Sequence, residues 1–365
     1  MRLDLIQAGL IQAASTIVLL LAVVAVVLAP VTLALPHPWA AVGTFLGGPL
    51  SDRRHFGNVV ETATPLLFTG LAISLMFRAG MFNLGAEGSF FLGGIGATVA
   101  ILLLPLPAWA PSWAAQAFPV LFGAVVGSVV CLVPGVLRAR FGASELVSSL
   151  MLNYAALYLG LYVLNYFLRD PNAGAMMSYR LPAAARLPRL LPGTHVNAGV
   201  VIGLAACALG GGLLFATRWG YVARVVGANP GFARHLGLPI TVIAGGVQFL
   251  GGLIAAAGGA VDLQGMYLRF QWEGLTGAGW NGLVVAILAG NNPLLVPPAA
   301  FALSYLQVGG DLLARDYDVP SEVVGIVQAL VILFATATAL TQNPRLRTLL
   351  RSRRVPPPAT GPATP

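Results

Sequence analysis

77-FRAGMFNLGAEGSFFLGGIGA-97 is the stretch on which the reading of this chain turns. It sets glycines, an amide (Asn83) and an acid (Glu87) against the start of a long apolar run. An ionisable residue at membrane depth is costly to keep, so it marks either a pathway or a structural lock. The composition establishes the depth. Of 365 residues, 57% are hydrophobic and only 9% charged, the mean hydropathy is +0.83, and lysine is absent. A soluble domain carries about 25% charged residues. The chain reads as an all-α, polytopic integral membrane helical bundle.

Charges punctuate the sequence into spans. No Asp, Glu, Lys or Arg lies inside the intervals Asp4–Asp52, Glu87–Arg138, Glu145–Arg169, Arg189–Arg218, Arg234–Asp262, Glu273–Asp311 or Glu322–Arg345. A crossing needs about 20 apolar residues. The spans fall near 10–35, 62–77, 88–108, 118–137, 145–168, 196–216, 240–261, 280–291, 294–309 and 323–342. That makes about 10 transmembrane helices. Pro293 follows Asn291 and Asn292 and separates two short helices. Read as one re-entrant pair, they leave about eight full crossings. The run Leu5–Leu35 exceeds the roughly 7–15 residues of a signal-peptide core, so it reads as a retained first span.

Orientation follows from arginine. Arg2, Arg78, Arg138, Arg140, Arg218, Arg224, Arg234 and the tail arginines share one side, opposed there by Asp4 and Glu145. That side is cytoplasmic, with both termini on it. Residues 1–345 form the membrane domain; 346–365, ending in 355-VPPPATGPATP-365, is a disordered cytoplasmic tail.

Several functions are excluded. The net charge of +8 does not mark a nucleic-acid binder, because the arginines flank apolar spans and form no basic domain. Cys131 and Cys207 fall within spans and make neither a metal spacing nor a disulfide framework. Without lysine there is no P-loop, whose ammonium must reach the phosphates. No nucleophile–base or paired-carboxylate arrangement stands out, so no enzyme activity, cofactor or metal is expected.

A weak internal symmetry is visible. Spans 62–168 and 240–342 run in opposite senses, and each has a glycine-rich break before its second segment: 83-NLGAEG-88 and 277-GAGWNG-282. Such paired interruptions suggest an inverted repeat with a solute path between the halves. Asn83, Glu87, Ser89, Asn153, Gln248 and Asn281 are the candidate path residues, a polar, uncharged set apart from Glu87 that suits a neutral, hydroxyl-rich solute. Helix–helix hydrogen bonding is the competing role for each amide. For Glu87 the competing role is a helix cap. The face 244-AGGVQFLGGLIAAAGGA-260 allows close helix packing. Between two spans, 218-RWGYVARVVGANPGFARHLGLP-239 has three arginines and no acid. Asn229 caps a short helix there, with Pro230 first and Gly237 ending it. That helix lies either on anionic lipid or against a cytoplasmic subunit.

Four segments, 77-FRAGMFNLGAEG-88, 143-ASELVSSLMLNY-154, 227-GANPGFARHLGLP-239 and 279-GWNGLVVAILAGNNPL-294, resemble the ribose-type permease family of ATP-binding-cassette importers. Within it the likeness is to the larger permease of bacterial nucleoside and simple-sugar uptake systems. It covers about residues 60–342. The resemblance implies inward transport by alternating access through a second, different permease chain and this one. A cytoplasmic ABC ATPase would dock on 218–239, here through Arg224, Gly227, Asn229, Pro230, Arg234, His235 and Gly237. An extracytoplasmic solute-binding protein would deliver the solute at the bacterial inner membrane. The long loops 36–61 and 169–195 depart from that pattern. The alternative is a secondary transporter or channel with Glu87 coupling an ion.

Overall fold

The computed structural model describes residues 38–317 apart from 105, 108–110 and 112, together with 325 and 329. The first expected span and most of the last, and the tail, lie outside the described residues. By compactness, 43–316 form one unit, which holds the candidate site and every contact described below.

The helices are α1 (Pro38–Ser51), α2 (Arg53–Arg78), α3 (Ala86–Leu103), α4 (Ala114–Phe141), α5 (Glu145–Val163), α6 (Gly199–Ala216), α7 (Arg218–Ala228), α8 (Pro230–His235), α9 (Ile240–Met266), α10 (Ala278–Leu288) and α11 (Val296–Tyr317). A π-helical turn, Leu164–Leu168, prolongs α5. Among the described residues there is no strand, only two isolated bridges. Among the described residues, six helices are long and apolar enough to cross a membrane: α2, α3, α4, α5 with its π-turn, α6 and α9. α10 and the Pro293–Tyr317 segment bend by 108° at their break and would make a seventh span if counted as one. The bend falls where Asn291, Asn292 and Pro293 place it. Asn291 has φ 55°, and the Asn292 side chain accepts from Leu294 N at 3.1 Å.

Local chemistry explains the boundaries. α4 carries Arg138 and Arg140 in its last turn and ends at Gly142, whose φ of 67° suits glycine. α2 and α3 are mostly buried, whereas less than half of the apolar window of α4, α5, α6 and α9 is fully buried. The small-residue face of α9 packs as expected: Gly251, Gly252, Ala255, Ala256, Gly258 and Gly259 are buried, with Gly259 directly on the Phe90 backbone.

One expectation is corrected. Residues 36–61 are not a long loop. They hold α1 and the first turns of α2, which begins at Arg53 rather than near 62. Charge does not end the helix here: Arg53, Arg54, His55 and Glu61 all ride on it. The loop after α5 is ordered against the strand-like exit of α9: Ser178 N donates to Phe270 O, Leu181 N to Leu268 O and Leu187 N to Gln264 O. An aromatic group of Phe90, Phe91, Phe270 and Trp272 fills the space beneath.

Candidate functional site: a carboxylate between two helix starts

After α2 the chain turns at Gly80, whose φ is 75°, and enters the break that precedes α3. The Asn83 side chain and the Leu84 and Gly85 backbone groups are paired there. Asn83, fully buried, donates to Cys131 O at 2.7 Å and to Gln248 Oε1 at 2.9 Å, and its Oδ1 accepts from Gly85 N at 2.7 Å. Asn153 of α5 accepts from Gly88 N at 2.9 Å and donates to Leu84 O at 3.0 Å. Ser149, one turn earlier, accepts from Leu84 N. Gln248 Nε2 donates to Glu145 Oε1 at 2.9 Å, and Arg138 bonds the other Glu145 oxygen at 2.8 Å. Ser89 donates to Cys131 Sγ at 3.3 Å. α4, α5 and α9 thus grip the break through a closed polar network, as buried polar groups require.

Glu87, 1% exposed, reaches from the first turn of α3 to the start of α10. Its Oε1 accepts from Gly277 N at 2.6 Å and Thr276 Oγ1 at 3.3 Å. Its Oε2 accepts from Gly279 N at 2.6 Å and Trp280 N at 3.3 Å. Two helices therefore start against each other, and the positive ends of both face one carboxylate. Contact is close: a Cβ on Gly279 would come within 2.5 Å of Glu87 N. Thr69, beyond the midpoint of α2, fixes the depth by donating to Ala278 O at 2.9 Å.

Five of the six candidate path residues (Asn83, Glu87, Ser89, Asn153 and Gln248) belong to this lock. The two breaks meet by contact and not across a cavity. Asn281 stands apart. It is half-buried and lines a cavity of about 210 Å³ with Glu61, Asp262, Thr276 and Gln307. Sequence reasoning missed Glu145, Ser149 and Thr276. The first two had a legible signal, because 145, 149 and 153 recur every fourth residue on one helical face.

The 218–239 segment folds as its residues dictate. Thr217 caps α7 by accepting from Gly220 N at 3.1 Å, and Asn229 caps α8 by accepting from Phe232 N at 3.0 Å. Pro230 opens α8, and Gly237 follows it with φ 68°. The Arg224 guanidinium lies 5.4 Å from the Phe215 ring centre. His235 Nδ1 pairs with Gly231 O at 2.8 Å. Arg234 and His235 are exposed beside Phe232 and Leu236, while Ala233 is buried. Gly227 seats this unit on the α2–α3 turn: a Cβ there would come within 2.7 Å of the Ala79 carbonyl carbon.

A helical bundle with a broken, internally locked centre and a capped helix pair beside the lock is the architecture of a membrane transport subunit. Residues 56–336 match the family of branched-chain amino acid transport system permease components, and the chain belongs to that family. It is 32% identical over 309 residues to the glucose ABC transporter permease protein TsgB13 of Haloferax volcanii, covering 81% of this chain and 80% of that protein. It is 27% identical over 294 residues to the guanosine ABC transporter permease protein NupP of Bacillus subtilis, covering 80% and 83%. Against the nucleoside ABC transporter permease protein NupB of Lactococcus lactis it is 28% identical over 307 residues, covering 81% and 82%. The chain is a multi-pass membrane permease component.

Proposed function

We propose that this chain is one permease subunit of an ATP-binding-cassette importer that moves a nucleoside or simple sugar inward by alternating access. A separate cytoplasmic ATPase docks on α7 and α8 and hydrolyses ATP. An extracytoplasmic binding protein delivers the solute, and a second permease chain completes the path. The site is the bacterial cytoplasmic membrane, with both termini cytoplasmic and lipid against the outward helices. The names of the relatives, one for glucose and two for nucleosides, support the solute class.

The observation that carries this reading is the seat of Gly227 against Arg78–Gly80. A push on α7–α8 meets backbone, with no flexible side chain to absorb it. From that turn it passes to Asn83 and Asn153 and to the Glu87 contact with α10. The lock residues transmit motion, and Asn281 faces the open side. Ion coupling through Glu87 is disfavoured because backbone donors already occupy both carboxylate oxygens.

The test is reconstitution with and without the ATPase, with crosslinking from Ala228, which is exposed. Solute transport by the permease chains alone, or no crosslink to the ATPase, would overturn the proposal.

A further inference from the structure

The outer face of α5 carries a stripe with no counterpart elsewhere among the described residues. Tyr154, Tyr158, Tyr162 and Tyr166 recur every fourth residue and are 57%, 68%, 53% and 69% exposed. At 1.5 Å per residue they cover about 18 Å of the span. Among the described residues, the side-chain hydrogen bonds of 150–168 belong to Asn153, on the opposite face, and to Asn165, which accepts from Arg169. The four phenol hydroxyls have none.

Lipid does not explain this face. Tyrosine is at home at the membrane interface, which accounts for Tyr166 near the Arg169 end. Tyr154 and Tyr158 flank the middle of Glu145–Leu168. A hydroxyl held in hydrocarbon without a partner costs several kcal/mol. α6 shows the ordinary pattern, where outward residues are Val201, Ile202, Leu204 and Leu209. The stripe is also free of charge, because no Asp, Glu, Lys or Arg lies between Glu145 and Arg169.

We propose that this stripe is a wall of the water-filled solute path, and that it takes a neutral, hydroxyl-bearing ring solute. The phenols exchange hydrogen bonds with solute hydroxyls, and the exposed ring faces stack on its flat faces. The second permease chain closes the opposite side. The inner face of α5 makes the stripe movable, since Glu145, Ser149 and Asn153 hold it to the network of the α3 break. Motion received at Gly227 therefore reaches the tyrosines through α5. The inference rests on the transport reading above.

The experiment uses the assembled transporter in membranes, with Cys131 and Cys207 replaced. Tyr158→Cys is treated with a charged, water-soluble thiol reagent and, separately, with a lipid-soluble maleimide. Leu209→Cys on α6 is the lipid-facing control. Tyr158→Cys should react with the charged reagent, at a rate that changes during ATP turnover, while Leu209→Cys reacts only with the maleimide. Uptake of a nucleoside and of a hexose should fall about tenfold in Tyr158→Leu, as for loss of one aromatic stack. It should fall less in Tyr158→Phe, which keeps the ring. The proposal is overturned if Tyr158→Cys behaves like the control or is inert to both reagents, or if Tyr158→Leu transports normally. Failure of the transport reading would show separately, as no uptake of either solute by the unsubstituted transporter.

Discussion

The two faces of α5 obey opposite rules. On the inner face, Glu145, Ser149 and Asn153 are buried and each is hydrogen-bonded to another element. On the outer face, four tyrosines stand exposed, their hydroxyls without a partner among the described residues. A paired polar group is spent on holding structure, whereas an unpaired one at membrane depth must find its partner in something that comes and goes. The pairing state of a side chain therefore separates a lock from a path better than its polarity does.

Substitutions can break this comparison, and the largest effect belongs to the lock. Glu87→Ala leaves three backbone donors and Thr276 without their acceptor, at a cost of about 3–5 kcal/mol, typical of breaking a buried charge interaction. Expression and the thermal midpoint in detergent should both drop sharply. Glu87→Gln keeps the shape but supplies one acceptor oxygen where two are used. At about 1.5–3 kcal/mol for a charge-assisted bond, it should lower the midpoint by less than Ala does. An unchanged midpoint in Glu87→Gln would mean that the carboxylate is not the clasp.

Asn153→Leu tests the inner face directly. It removes an acceptor for Gly88 N and a donor to Leu84 O and leaves both backbone groups buried, at about 1–3 kcal/mol. Thermal denaturation should register the loss, and stimulation of ATP hydrolysis by loaded binding protein should weaken with it. Asn229→Ala, outside the lock, removes only the α8 cap, worth about 1 kcal/mol. Crosslinking from Ala228 should slow while thiol-reagent labelling of Tyr158→Cys persists.

The smallest stability effect is the sharpest test. Tyr158→Leu alters an exposed side chain, so its stability should stay within about 0.5 kcal/mol of the parent. Its uptake should nevertheless fall. If stability fell together with transport, Tyr158 would be a packing residue and the contrast between the two faces would fail.

Much of this was legible in the sequence. Uncharged intervals located five of the six described crossings, Pro293 after two asparagines located the 108° bend, and Asn229-Pro230 with Gly237 located α8. Charge does not mark a helix end at Arg53 to Glu61, which α2 carries in its first turns. The sequence helped less with the six path candidates. Their polarity was plain, but whether each is satisfied depends on partners up to 193 residues away, as for Glu87 and Trp280.

The sequence by itself determined that this chain spans a membrane, where most of the spans lie and where the chain bends, and that Asn229 caps α8. These follow from local rules: apolar length, proline and glycine geometry, and the reach of a capping side chain. Only the tertiary structure decided that Glu87 joins two helix starts, that Asn83, Asn153 and Gln248 close on one another, and that the tyrosines of α5 face outward. Hydrogen-bond satisfaction is a property of distant pairs brought together by packing, and no local pattern encodes it.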